Sequence, residues 1–318
     1  MNELVDNYNR PVDYLRISIN RKCNYSCGYC DKEGYLTQGP DTVLSPDDVS
    51  AIISIFNDFH EIKKVKITGG EPLLHPQLEK VIQRIASFNS IQDISLTTNG
   101  YHLKSKGADL KTSGLDRVNI SLCSLNPATF RKITGIDGLD RVLAGIDEAI
   151  NVGLTPLKIN FVLLKGFNER ELESMLEYCA TRDIRLQLIE LHEIEDIHAK
   201  THSYFASHHV DAEDVLKQVH LPIEKVEYRD MQNRKIIYFQ NESSVETVKM
   251  TPSFCNNCTK LRITADGRIK PCMMKSGNEL DLLGAINQGY TRQELRSLIL
   301  KAVKARVPYM KQEVEECE

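Results

Sequence analysis

Three cysteines stand within eight positions of the stretch RKCNYSCGYCDKEG: Cys23, Cys27 and Cys30, spaced C-x3-C-x2-C. In a reducing compartment, thiols this close usually hold a metal. A closed structural zinc site needs four protein ligands, and no fourth Cys or His stands in the local loop. A cubane iron-sulfur cluster gripped by three thiolates keeps one iron open to an outside ligand, so the spacing points to a cluster whose vacant corner takes a small molecule. A second trio, Cys255, Cys258 and Cys272, is spaced C-x2-C-x13-C. Between its last two members, Asp266-Gly267 predicts a two-residue hairpin turn that returns Cys272 to the side of the pair. This trio reads as a second cluster, again with an open iron. The alternative is a zinc ribbon, whose fourth ligand would have to be Cys317 in the acidic tail. Nine cysteines, an odd number with six in two tight groups, argue against a disulfide framework. Cys179 shares a helix stripe with Leu172, Met175 and Leu176 and reads as core filler.

Such groups need elements to carry them. From residue 14 to about 192, β-branched runs alternate with amphipathic helical stretches. The runs are YLRISIN (14 to 20), KKVKITGG (63 to 70), DISLTTNG (93 to 100), RVNISL (117 to 122), LKINFVLL (157 to 164) and IRLQLIEL (184 to 191). Ser45 predicts an N-cap with Pro46 at the first helical position, followed by Val49, Ile52, Ile53 and Phe56 on one face. Strand and helix repeated in this way predict right-handed crossovers and a parallel sheet. No Gly-rich phosphate turn follows the first strand. The expected fold class is therefore α/β, a partial (β/α)6 TIM-like barrel over 1–200, with a C-terminal extension over 201–318 that carries the second cluster and a closing helix. In such barrels the chemistry sits at the C-terminal ends of strands. Those ends carry Cys23, GGEP, TTNG, Ser121, Lys165 and His192. Beyond them, HEIEDIHAKTHSYFASHH holds five histidines from His192 to His209 and reads as a solvated connecting loop rather than a metal tract. RKIIYFQ and SVETVKM read as a hairpin, and a Thr291–Glu294 capping box opens the last helix.

A net charge of -4 argues against a nucleic-acid surface, and no apolar run approaches the roughly 20 residues of a membrane span. The opening MNELVDNYNR is polar, unlike a secretory signal. The expectation is a cytoplasmic protein with small-molecule partners.

C-x3-C-x2-C after the first strand of a partial barrel, with Tyr29 before the last cysteine and GGEP after the second strand, resembles the radical S-adenosylmethionine superfamily. The resemblance implies that the open iron chelates S-adenosylmethionine and that an electron from the cluster releases a 5'-deoxyadenosyl radical. Two three-cysteine groups at these spacings are similar to one family in particular, GTP 3',8-cyclase, the first enzyme of molybdenum-cofactor biosynthesis, and to its shorter archaeal-type members. That likeness runs from YLRIS through KITGGEPLL, LTTNGYHL and KINFVLLKGFNE to FCNNCTKLRITADGRIKPC. It implies two 4Fe-4S clusters as cofactors, on Cys23, Cys27 and Cys30 and on Cys255, Cys258 and Cys272. GTP would be contacted by Arg16, Lys66, Thr97, Lys158, Lys260, Leu261 and Arg262. S-adenosylmethionine would be contacted by Tyr29, Gly70, Ser121 and His192, with Glu71 added by superfamily analogy. A flavodoxin- or ferredoxin-type electron donor and a downstream cyclic pyranopterin monophosphate synthase follow as partners. Departures from the family pattern are Lys260-Leu261-Arg262 in place of Arg-x-Arg, Cys123 in place of an Asp, His192 at a Met position, and a tail EVEECE without paired glycines. They keep open another substrate for the same chemistry, such as a uridine nucleotide or a peptide. A zinc-stabilised binding module is the reading from a different class.

Overall fold

The computed structural model describes residues 4–30, 42–193, 199–275 and 277–308 of the 318-residue chain. Six strand-helix units come first: β1 (Tyr14–Ser18), α1 (Pro46–Asn57), β2 (Lys64–Thr68), α2 (Leu78–Ala86), β3 (Asp93–Thr98), α3 (Leu103–Thr112), β4 (Arg117–Ser121), α4 (Pro127–Thr134), α5 (Leu139–Asn151), β5 (Lys158–Leu163), α6 (Leu172–Ala180) and β6 (Arg185–Glu190). The strands pair in chain order and all in parallel. Helix α1 starts as its sequence dictates. The Ser45 side chain accepts from the Asp48 amide, the Asp48 carboxylate answers the Ser45 amide at 2.8 Å, and Pro46 occupies the first turn. Along the strands every second residue, such as Leu15, Ile17, Val65, Ile67, Leu96 and Ile120, is fully buried under the helices. Each such side chain contributes about 1.5–3 kcal/mol by leaving water. The alternate residues face the barrel interior.

The remaining elements are α7 (Ala199–His208), α8 (Ala212–Leu216), β7 (Ile223–Tyr228), β8 (Lys235–Phe239), β9 (Ser244–Val248), α9 (Pro252–Asn256), β10 (Lys260–Ile263), β11 (Arg268–Lys270), β12 (Leu280–Asp281), α10 (Leu282–Asn287) and α11 (Arg292–Lys304). They complete one twelve-stranded sheet in the order β12-β11-β10-β1-β2-β3-β4-β5-β6-β9-β8-β7. β10 joins β1 in parallel and β9 joins β6 in parallel, so the extension adds one parallel strand to each flank of the six. The fold is thus a partial barrel with a C-terminal extension, and the extension is woven into both margins of the sheet.

The β8–β9 hairpin and the α11 capping box form as the sequence predicts. Asp266-Gly267 turns β10 into antiparallel β11, with Gly267 at φ 77°, a conformation that favours glycine. One expectation fails and one element goes unforeseen. Residues 199–208 form a helix instead of a loop, because Tyr204 and Phe205 pack against the core and against His208 and His209; polar neighbours hid these two apolar positions. β7 was not anticipated, since it is exposed along its whole length and shows no inside-outside alternation. Among the described residues, no helix is long and apolar enough to cross a membrane.

Candidate active site

The inward-facing strand residues are not the Val, Ile and Leu that fill an ordinary small barrel. Register sets Arg262, Arg16, Lys66, Ser95 and Arg117 in one row across β10, β1, β2, β3 and β4. A second row runs Thr97, Asn119, Lys158 and Arg185 across β3 to β6. All of these residues except Ser95 line a cavity of about 890 Å³ whose wall holds twelve Arg or Lys side chains against four Asp or Glu. A chain of net charge -4 therefore concentrates positive charge on the wall of one cavity.

Both cysteine trios open onto this cavity. Cys23, Cys27 and Cys30 follow the C-terminal end of β1. Cys255 and Cys258 precede the first residue of β10, which is paired with the first residue of β1, and Cys272 follows the returning strand β11. The trios thus sit at opposite ends of one cavity. None of the eight described cysteines is in a disulfide, and no three His, Cys, Asp or Glu among the described residues converge so as to hold a single ion. Three thiolates in each trio, opening onto one cavity, are the donor set of a cubane that keeps one iron corner open. Cys317 lies outside the described residues.

The loop of the first trio is clamped by GGEP and TTNG. The Gly70 amide donates to Asn20 O and the Glu71 amide to Lys22 O, both at 2.8 Å, and Asn20 Nδ2 returns a bond to Glu71 O at 2.9 Å. The approach is so close that a Cβ at Gly70 would lie 2.3 Å from the carbonyl oxygens of Arg21 and Lys22. The Glu71 carboxylate accepts from Thr98 Oγ1 at 2.6 Å, the Asn99 amide at 2.7 Å and the Leu73 amide at 2.9 Å. Burial pushes its pKa up to about 7 against these bonds. Asn99 Nδ2 continues to Asn24 Oδ1 at 2.8 Å, beside Cys23. Tyr29, Gly70, Glu71, Ser121, Cys123 and His192 line this end of the cavity. Burial holds the His192 imidazole down at about 4, and its Nε2 has no hydrogen-bond partner in the protein. Lys165, expected here, is exposed; its amide and carbonyl tie instead to His208.

Between the trios stand the cations. Burial, then the charges of Arg117, Arg16, Lys260 and Lys158, hold the Lys66 ammonium well below its usual range. Burial also brings Lys158 down to about 8, although it bonds the fully buried Glu246. Burial raises the Glu246 carboxyl, but Lys158, Arg234 and Arg229 outweigh it and hold the group at about 2. Lys260 Nζ donates to Gln232 Oε1 at 2.9 Å and lies over the Tyr14 ring, and Arg262 Nη2 meets Met273 Sδ at 3.2 Å. Arg185 Nε, Arg234 Nε and Asn160 Oδ1 are buried on the cavity wall without a protein partner. Buried polar atoms are nearly always paired, so these three have hydrogen-bonding capacity left for water or a ligand in the cavity.

Of the residues expected to touch substrate or cofactor, all line the cavity except Leu261. It is fully buried on the other face of β10, because strand side chains alternate and Lys260 and Arg262 take the inward positions. Only its main chain can approach the cavity. Sequence reasoning missed Arg117, Arg185, Arg229 and Arg234. Arg117 and Arg185 stand at inward positions of strands that had been recognised, and so were findable. Arg229 and Arg234 flank a 3-10 turn after the unanticipated β7.

Comparison with known proteins gives two family matches, "Radical SAM superfamily" over residues 17–179 and "Molybdenum Cofactor Synthesis C" over 184–312. A "Probable GTP 3',8-cyclase" of Methanothermobacter marburgensis is 38% identical over 96% of this chain and 98% of its own length. Another of that name, from Thermococcus kodakarensis, is 36% identical over 97% of this chain and 100% of its own. Among solved structures, Streptococcus suis SuiB bound to the precursor peptide SuiA superposes with a TM-score of 0.62 at 18% identity, over 93% of this chain and 72% of that one. Native anSMEcpe with bound AdoMet gives 0.62 at 15% identity, over 96% and 86%. At such identities these structures speak for the fold alone. The near full-length relatives speak for kinship: the chain belongs to the radical SAM superfamily and, within it, to the GTP 3',8-cyclase family.

Proposed function

We propose that this chain converts GTP to (8S)-3',8-cyclo-7,8-dihydroguanosine 5'-triphosphate, the first step of molybdenum-cofactor biosynthesis. One observation carries the reading: two cysteine trios face each other across a single cavity walled by cations. The cofactors are two 4Fe-4S clusters and S-adenosylmethionine; bound together, the first cluster and S-adenosylmethionine would supply the 5'-deoxyadenosyl radical that takes a substrate hydrogen. In this reading Cys23, Cys27 and Cys30 hold the first cluster, and Tyr29, Gly70, Glu71, Ser121 and His192 seat S-adenosylmethionine beside it. His192 Nε2 is free to accept or donate at the cofactor. Cys255, Cys258 and Cys272 hold the second cluster, at which the guanine is fixed.

The protein's work is placement. A triphosphate brings about four negative charges, and Arg or Lys side chains answer it with charge-assisted bonds. Arg16, Lys66, Lys158, Lys260 and Arg262 are the cations for this task, with Thr97 beside them and the Leu261 main chain behind. Their mutual repulsion in the empty cavity is relieved when the polyanion arrives. Substrate and cofactor filling the cavity would keep bulk water from a reactive intermediate. In this reading residues 1–200 carry the radical-generating site and part of the triphosphate wall, and 201–318 carry the second cluster and the rest of that wall. A flavodoxin- or ferredoxin-type donor supplies the electron, a cyclic pyranopterin monophosphate synthase takes the product, and a reducing cytoplasm suits the exposed thiols.

Anaerobically reconstituted protein given S-adenosylmethionine, reductant and GTP is expected to hold about eight irons per chain and to yield 5'-deoxyadenosine with an isomer of GTP of unchanged mass. Turnover of a uridine nucleotide or a peptide but not GTP would overturn the substrate. Tightly bound zinc without iron would overturn the chemistry.

A further inference from the structure

Arg10 and Arg306 are 296 positions apart and meet under the second cysteine trio. Arg10 Nη1 donates to the carbonyl of Cys255 at 2.8 Å, and Arg306 Nη2 donates to the carbonyl of Cys258. Each also donates to the other's main chain, Arg10 Nη2 to Arg306 O at 2.8 Å and Arg306 Nη1 to Arg10 O at 3.1 Å. One carboxylate serves both: Asp6 Oδ2 lies 2.7 Å from Arg10 Nε and 3.4 Å from Arg306 Nη1. The Asp6 side chain also accepts the Tyr8 and Arg10 amides at 2.9 and 3.0 Å, folding a tight turn that presents Arg10. All three side chains are buried, at 2%, 5% and 2% exposure for Asp6, Arg10 and Arg306.

Two guanidiniums and one carboxylate leave a surplus positive charge in the interior, which is expensive unless an anion balances it. Both arginines line the cavity beside Cys255 and Cys258. A cluster ligated by thiolates carries that anionic charge, and cluster potentials respond to nearby charge and hydrogen bonding. We propose that Arg10 and Arg306 are positioning residues for the second cluster. They fix the main chain of two of its three ligands, balance its charge, and make its assembly depend on both ends of the chain. The inference rests on Cys255, Cys258 and Cys272 being a cluster site.

The test compares wild-type protein with Arg306→Gln and Arg306→Lys, reconstituted without oxygen, by iron per chain and a redox titration followed by electron paramagnetic resonance. In Arg306→Gln the second cluster is expected to lose about half its iron or more, and what remains to titrate at a more negative potential, since a lost positive charge disfavours the added electron. The first cluster's signal stays, which also shows that the variant has folded. Arg306→Lys keeps the charge but not the forked donor, so it should restore the potential while still losing iron. Both variants holding wild-type iron at wild-type potential would overturn the inference, as would equal loss of both clusters, which marks a general collapse. A wild-type chain with about four irons would remove the second-cluster reading and this inference with it.

Discussion

Lys158 shows how burial sets the charge of a single side chain in this cavity. Burial draws its pKa down to about 8, partly opposed by Glu246. A lysine lowered in this way destabilises the empty fold progressively as pH falls from its ordinary 10.5 to about 8, because over that span the unfolded chain takes up a proton that the buried group refuses. A bound triphosphate reverses this by favouring the ammonium. GTP binding should therefore take up protons near pH 8, and affinity should tighten by about tenfold between roughly pH 9 and 7.5. Calorimetry in buffers of different ionisation enthalpy reads the uptake directly. Lys158→Met should lose much of it and weaken binding. Wild-type binding without proton exchange would show that this ammonium stays away from the phosphates.

At the scale of elements, the first cluster loop is built from the main chain of two neighbouring strand ends. Gly70 can be no larger, since a Cβ there would sit 2.3 Å from two carbonyl oxygens of the segment entering Cys23. Gly70→Ala should push that segment away, leaving about four of eight irons, all on the second trio, and abolishing S-adenosylmethionine cleavage. Retention of the first cluster's signal would refute the clamp. The motif was legible in the sequence; its cause was not, because the oxygens it avoids are contributed by residues 21 and 22, in the loop that follows another strand. The same holds elsewhere. β1 to β6 were readable because β-branched outward positions recur every second residue, and Arg16, Lys66 and Lys158 stood out as polar breaks in apolar runs. By contrast, the Thr98 and Asn99 contacts to Glu71 and the Arg10–Arg306 pairing are tertiary, and nothing local in the chain announces them. β7 and α7 were missed because edge strands and polar-faced helices blunt the periodic signal.

At the scale of the whole molecule, the division at residue 200 does not separate two folding units. β9 and β10 belong to the extension but lie at opposite sides of the six-stranded barrel, with β1 through β6 between them. Neither can pair with the other, so the extension has no sheet of its own that joins its two cysteine-bearing and hairpin parts. Without the extension, β1 and β6 would become open parallel edges, a template for aggregation. Asp6, Arg10 and Arg306 add a buried link between the chain's two ends. Cluster-free chain under reducing conditions should therefore unfold in denaturant with one transition, coincident by circular dichroism and tyrosine fluorescence. A fragment of residues 1–200 should aggregate when expressed alone. Two separated transitions, or a soluble folded fragment, would mean that the barrel stands without its flanks and that the cation-lined cavity is assembled by docking two bodies rather than by folding one.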